Sequence, residues 1–261
     1  MEPTDSLTAP SPPAPAASWP AKIGATLMAL LLLVLSQGGV KLRLARFIFP
    51  SATLDKYIWI GYFEHHLLQL IIALIFIGIF SRGHFAEWGL NFRNAALSTR
   101  IFWKYCLVYT AIILATSVIP DLMHHDSDLG MFAPATAPNI AGWLAFEWIF
   151  VGISEEILFR GLLQTYLSKT WTGAWQIGVG RIRGFALPHS GLITTLIFCL
   201  AHVSPLPPHI NWEQQLFAFG LGIYYSAVYY RTGSLLNPIL AHNFGDGLVV
   251  TAAYLVYLHL H

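Results

Sequence analysis

The apolar residues of this chain are gathered into blocks long enough to cross a lipid bilayer, and no other feature limits its fold as strongly. The first block, 23–40, contains no Asp, Glu, Lys or Arg. Others follow at about 57–80, 101–120, 140–166, 188–204, 214–231 and 234–258. A spanning helix needs roughly 20 mostly apolar residues, and lipid accepts a backbone only as helix or closed barrel. The expected fold is therefore all-α. It is a polytopic membrane protein of about seven transmembrane helices, with room for an eighth, around a buried polar site. Composition agrees, since only 10% of residues are charged, against about 25% in a soluble domain. That deficit excludes a disordered protein, a coiled coil and an ordinary cytosolic enzyme. The formal net charge of +1 supplies no field that would recruit nucleic acid. Cys106 and Cys199 both fall inside apolar blocks and make neither a disulfide framework nor a CxxC metal pair.

Residues 1–20 hold six of the 15 prolines, so this stretch reads as a disordered Pro/Ala-rich tail ahead of a helical transmembrane domain at 21–261. The first block reads as a retained anchor: only Lys22 is basic nearby, and no A-x-A site follows. Basic residues vote on orientation. Arg82, Arg93, Arg100 and Lys104 cluster in one stretch, and Lys169, Arg181 and Arg183 in another. The stretch 121–139 has no basic residue but carries Asp121, Asp126 and Asp128, and 204–213 also lacks Lys and Arg. This pattern puts the amino terminus in the cytoplasm and the carboxyl terminus outside. Lys41, Arg43, Arg46 and Lys56 vote the other way.

One apolar block contains charges that do not belong there. The sequence AFEWIFVGISEEILFRGLLQTYL places Glu155, Glu156 and Arg160 mid-helix, where each charge costs about 2.5–3.5 kcal/mol on insertion scales. Glu156 and Arg160 stand i, i+4 apart and can pair. Glu155 points about 100° away and is free to face something else. Two later blocks supply partners. Phe198 and His202 are i, i+4 in TLIFCLAHVSP, ahead of Pro205, Pro207 and Pro208; His242 and Asp246 are i, i+4 in GSLLNPILAHNFGDGL. Counted from the cytoplasmic ends, Glu155, His202, His242 and Asp246 lie roughly 14–21 Å deep. Gly152, Gly161, Ala201, Ala241 and Gly245 are small neighbours that permit close helix approach. One polar cavity is expected, against the competing reading of an ion-pair network that only fixes helix packing.

A carboxylate beside an imidazole in a dry pocket can take a proton from water. A second His and a side-chain donor can then hold the oxyanion of a tetrahedral intermediate, which amounts to amide hydrolysis without a Ser or Cys nucleophile. Glu, His, His and Asp can alternatively bind zinc with an open site for water, although HExxH is absent.

SEEILFRG, FCLAH and HNFGD, in that order, resemble the three motifs of the CPBP family, the CAAX-protease and bacteriocin-processing intramembrane proteases. RTGSLLNPILAH is similar to the lead into the last motif, and EWGLNFR at 87–93 to an upstream Gly-Leu element, so the resemblance covers about 87–250. The resemblance implies that Glu155 and His202 activate water while His242 and Asp246 face the oxyanion. It implies a supporting role for Glu156, Arg160 and Phe198. Asp246 stands where many relatives carry Asn; an ionised Asp would repel an oxyanion unless protonated, bridged through His242 or ligating a metal. No cofactor is required on the glutamate-type reading. If a metal such as zinc is bound, its ligands would be Glu155, His202, His242 and Asp246. The implied partners are the lipid bilayer and a membrane-anchored, lipidated or leader-bearing protein substrate, in a prokaryotic cell membrane.

Other polar features rate lower. Glu64, His65 and His66 read as a lipid-interface cluster, His124 and His125 as solvated loop residues, and Trp143 and Trp148 as markers of the outer boundary. Two further function classes compete with the protease. One is a non-catalytic membrane scaffold or immunity factor. The other is a proton-coupled transporter, disfavoured because the chain is short and lacks a repeat.

Overall fold

The computed structural model describes residues 17–37, 44–126, 128–179, 182–205 and 208–261. The expected tail thus falls largely outside the described residues, as do Lys41, Arg43, Arg181 and Pro207. The first helix, α1 (Trp19–Gln37), begins inside the supposed tail. Pro20 sits in its opening turn, where a missing N–H is tolerated.

Helices dominate, and among the described residues four helical stretches are long and apolar enough to cross a membrane. They are Trp19–Gln37, Trp59–Ser81, Ala95–His124 and Leu236–Leu260. The protein is an integral membrane protein. The three other apolar blocks are helical too, but differ in kind. The rod from Ala137 to Ser168 carries the intramembrane charges. Helix α9 (His189–Ala201) has only 13 residues. Helix α10 (Trp212–Thr232) opens on Glu213, Gln214 and Gln215 and ends on Arg231. The short α2 (Ser51–Lys56) precedes α3 (Trp59–Ser81), and α11 (Leu236–Leu260) closes the chain.

Two rods depart from regular α geometry. The third, α4 (Ala95–Ile113), passes through a π-segment at Leu114–Val118 into α5 (Ile119–His124), which carries Pro120 in its first turn. The charged rod runs as α6 (Ala137–Ala145), a π-segment at Phe146–Phe150, α7 (Val151–Glu156), a second at Ile157–Gln164 and α8 (Thr165–Ser168). A π-turn inserts a residue into the helical register and interrupts the i→i−4 ladder. Asn243 of α11 bridges the first interruption: its Nδ2 donates to Ile149 O at 3.0 Å, and its Oδ1 accepts from the Gly152 N–H at 2.7 Å. A Cβ at Gly152 would stand 2.6 Å from Asn243 Oδ1 and 2.9 Å from His242 Cβ, so a glycine there lets α11 close on α7.

Two apolar clusters hold the bundle. One joins Leu32 of α1 and Ile77 of α3 to Leu158, Leu162, Leu163 and Leu167. The other joins Trp143 and Phe146 to Val250 and Tyr254 of α11. Trp143 is therefore fully buried, against Phe132 and Tyr62, rather than marking a membrane boundary. Trp148 is partly exposed and donates to Thr251 Oγ1 at 3.0 Å.

The two outlying stretches of sequence resemblance dock on each other. Gly89, at φ 87°, accepts from the Leu235 N–H at 2.9 Å, while Asn91 Nδ2 donates to Gly233 O at 2.9 Å. A Cβ on Gly89 would lie 2.5 Å from the Tyr229 ring. The turn thus needs glycine for its left-handed backbone and for its close approach to α10. Two short strand pairs stand among the helices of the described residues. The strands β1 (Ala174–Val179) and β2 (Ile182–Pro188) pair antiparallel, Ala174 facing Pro188, and two-residue strands pair at Ser204–Pro205 and Pro208–His209.

Candidate active site

At about 1.5 Å per residue, a helix the length of α9 falls some 10 Å short of a hydrocarbon core about 30 Å thick. It ends at Ala201, before Pro205, instead of running through 204 as its apolar block suggested. His202 is its C-cap residue, so the imidazole sits at a helix end within the bundle. A cavity of about 920 Å³ opens there, and its walls include Glu155, Phe198, His202, His242 and Asp246. Its mouth is framed by Gln37, Met131, Asn211 and Gln214, at the end of the bundle away from Arg82, Arg93 and Lys169. Among the described residues no Lys or Arg lines it.

The adjacent glutamates serve different partners. Glu156 is fully buried, and its Oε1 accepts from Arg160 Nη1 at 2.8 Å and bonds His242 Nδ1 at 2.7 Å. Arg160, also fully buried, donates from Nη2 to Gly222 O at 3.2 Å. Its guanidinium lies 4.9 Å over Phe198 and 5.2 Å over Tyr225. The expected i, i+4 pair is thus present, and it reaches across to α11 and α10. Glu155 is turned into the cavity. Its Oε2 lies 3.6 Å from His242 Nε2 and its Oε1 lies 3.9 Å from His66 Nδ1, both beyond hydrogen-bond range. Gaps of that size between polar groups suit a bridging water or a reacting group.

His242 is held on both sides. Nδ1 meets Glu156, and Nε2 lies 3.1 Å from Asp246 Oδ2, with Tyr225 stacked on the ring at 5.2 Å. Asp246 thus touches both His242 and the cavity. His202 Nδ1 lies 2.8 Å from Phe198 O. A carbonyl oxygen only accepts, so Nδ1 carries a proton and the neutral ring keeps its lone pair on Nε2. Phe198 packs edge-on against His202 and Phe159, fixing that ring.

Glu, His and Asp are donor types that zinc takes. Both nitrogens of His242 are engaged by carboxylates, while His202, with Nδ1 on a carbonyl, keeps its Nε2 lone pair free. Among the described residues no group of three or more His, Cys, Asp or Glu side chains gathers as a metal cage requires.

Sequence reasoning missed several members of the cavity wall. His66 was read as part of an interface cluster, yet it is buried and bonds Ser154 Oγ at 2.8 Å. Glu64 does lie at the bundle's edge, where its carboxylate accepts from the backbone N–H groups of Leu44 and Ala45. Glu147 and Tyr225 also line the cavity. Glu147 carried the same signal as Glu155, a carboxylate in an apolar block, but an ideal helical wheel separates the two by about 80°. The π-segment at Phe146–Phe150 falsifies that wheel. His124 and His125 are exposed, as expected.

Residues 136–248 match the family model described as Rce1-like, type II CAAX prenyl endopeptidase. That span contains all three motifs and excludes the turn at 87–93. No curated protein and no solved structure matches the chain.

Proposed function

Over residues 136–248 this chain belongs to the CPBP family of CAAX-type proteases, and from that premise we propose that it is an intramembrane endopeptidase of the glutamate type. Its substrate is a membrane-anchored, lipidated or leader-bearing protein, cleaved in a prokaryotic cell membrane. The observation that carries this reading is the difference between neighbouring carboxylates: Glu156 is bound to Arg160 and His242, while Glu155 faces the cavity with neither oxygen hydrogen-bonded. A buried carboxylate costs stability unless satisfied, and one kept unsatisfied in a cavity is available for chemistry.

In this mechanism water lies between Glu155 and His202. Glu155 accepts one of its protons, with His202 Nε2 orienting the molecule, and the hydroxide attacks the scissile carbonyl carbon. The carbonyl π pair moves onto oxygen, and the N–H of His242 Nε2 turns to that oxyanion from its bond with Asp246. Asp246, which shares the cavity wall, steadies the ring through that same Nε2 before the oxyanion forms. Glu155 then hands its proton to the amide nitrogen as the C–N bond breaks. A carboxyl and an amine product leave, and Glu155 returns to carboxylate. Arg160 and Glu156 keep His242 in place throughout.

The test is a terminal-peptide mass-spectrometry comparison of the native host, a deletion strain, and the deletion complemented with Glu155→Gln at matched protein level. The same uncleaved membrane protein should accumulate in the last two strains. Wild-type processing by Glu155→Gln would leave the polar network a packing device and favour a non-catalytic scaffold.

A further inference from the structure

Four tyrosines gather where α4 meets α10 and α11. Tyr105 stacks on Tyr109 at 5.2 Å and on Tyr224 at 5.0 Å, and its hydroxyl stands 3.5 Å from that of Tyr225. Tyr224 donates to Asn237 Oδ1 at 3.3 Å. Tyr109 differs from the other three. It is 6% exposed and lines the catalytic cavity, on a stripe of its rod that continues through Ile113 and Ser117. Among the described residues its hydroxyl has no hydrogen-bond partner, and packing does not seal it off. A buried phenol ordinarily finds a partner for its O–H, so this one is left for whatever enters the cavity. Tyr109 lies outside residues 136–248 and outside every motif read from the sequence.

The packing of the ring decides which side of the site the hydroxyl serves. Tyr105 covers one face, and a Cβ on Gly245 would stand 3.6 Å from Tyr109 Cε1 and Cζ, so the hydroxyl end of the ring closes over the residue before Asp246. Asp246 is the charged side chain close enough to act on that hydroxyl. Its Oδ2 in turn lies 3.1 Å from His242 Nε2, whose N–H turns to the oxyanion in the mechanism above. Building on the proteolytic reading, we propose that Tyr109 is a further catalytic residue: its phenol O–H is a second donor to the oxyanion, alongside His242 Nε2. A tetrahedral oxyanion accepts more than one hydrogen bond, and His242 supplies only one. Asp246 shares that wall and repels negative charge growing beside it, which a neutral O–H fixed in place offsets. The phenol keeps its proton throughout, and no bond is made or broken at it. A tyrosine that only packed between α4 and α11 would be replaceable by phenylalanine, which keeps the ring and drops the oxygen.

The experiment uses purified full-length protein in detergent. Its substrate is the membrane protein that accumulates uncleaved in the Glu155→Gln strain. Initial rates against substrate concentration are measured for wild type, Tyr109→Phe and Tyr224→Phe, with the thermal midpoint of each. Tyr224 is the control because it belongs to the same cluster but does not line the cavity. We expect Tyr109→Phe to lose kcat by about a hundredfold or more, as removal of one oxyanion donor does, with KM and thermal midpoint held at the wild-type values. Tyr224→Phe should keep the wild-type kcat. Wild-type kcat in Tyr109→Phe overturns the proposal, as does a loss carried by KM or an equal loss in Tyr224→Phe. A Tyr109→Phe chain that fails to fold would show its hydroxyl bonded within the protein, and overturns it too. If Tyr224→Phe does not fold, the kcat and KM of Tyr109→Phe decide alone. If wild type cleaves nothing, or Glu155→Gln cleaves normally, the proteolytic reading itself fails and this inference falls with it. An active wild type, an inactive Glu155→Gln and an unimpaired Tyr109→Phe refute only the role of Tyr109.

Discussion

Removing the guanidinium of Arg160 is the perturbation whose cost this structure bounds most closely. Arg160→Met keeps the unbranched stem over Phe198 and Tyr225 but deletes two bonds, one at 2.8 Å to Glu156 and one at 3.2 Å to Gly222 O. Both members of the ion pair are fully buried, so no water replaces the lost partner. Breaking such a pair from one side costs about 3–5 kcal/mol, because it strands the remaining charge. At about 1.4 kcal/mol per factor of ten, the ratio of folded to unfolded protein should fall by a hundredfold or more. Glu156→Gln alone strands the guanidinium and should cost a comparable amount. The double variant removes both charges while the Gln oxygen still faces His242 Nδ1. Replacing a whole buried pair is often close to neutral, so its cost should fall below the sum of the singles by about 2 kcal/mol or more. Reversible unfolding in mixed micelles, titrated with SDS, measures all four proteins. Additivity within about 0.5 kcal/mol, or an Arg160→Met cost below about 1 kcal/mol, would refute the reasoning.

Gly152→Ala should destabilise by about 1–3 kcal/mol through overpacking, because its Cβ would stand 2.6 Å from Asn243 Oδ1. Gly220→Ala, with nothing within 4 Å, should be harmless in the same unfolding assay. Asp246→Asn should keep its activity in a cleavage-rate assay. Its oxygen can still accept from His242 Nε2 at the 3.1 Å position without a charge near the oxyanion, and a loss as large as that of Asp246→Ala would count against the relay through His242. Basic residues at the opposite end of the bundle imply that the cavity mouth faces away from the cytoplasm. In a Cys106→Ala/Cys199→Ala background, Gln214→Cys should react with an impermeant maleimide on intact cells and Arg93→Cys should not. The reverse labelling pattern would invert the orientation.

The helical blocks and the polar site were legible for one physical reason. A charge in an apolar run is expensive, so Glu155, Glu156 and Arg160 stood out without any knowledge of their neighbours. His202 followed from one apolar block and His242 with Asp246 from another, at a comparable depth. What escaped was every feature that depends on departure from an ideal helix or on packing between distant segments. The π-segments have no compositional signature, yet they set which residues of the charged rod share a face, and so Glu147 went unnoticed. Trp143 reads as an interface residue by type; only the fold shows it closed over by Phe132, Tyr62 and Phe146. The early end of α9 was hinted at by Pro205, but the cavity it leaves is a property of the helices around it. His66 had two polar neighbours in sequence, and in the fold His65 and His66 line the cavity while Glu64 holds the backbone N–H of Ala45 at 2.9 Å.

The charge pattern of the site explains how lipid tolerates it and what it is suited to do. Glu147, Glu155, Glu213 and Asp246 line the cavity and Glu156 lies directly behind it, while among the described residues Arg160 is the one Lys or Arg bonded to the group. Arg160 offsets Glu156 directly, and His242, bonded to a carboxylate on each side, ties Glu156 to Asp246. Glu155 beside it keeps both oxygens free for a reacting group. Losing the Arg160 charge should therefore disturb the whole set: with Glu156 no longer neutralised, His242 is drawn toward it and away from Asp246. Arg160→Met in a preparation kept folded at low temperature is accordingly expected to lose cleavage rate along with stability. A folded, fully active Arg160→Met would show that the pair serves packing alone.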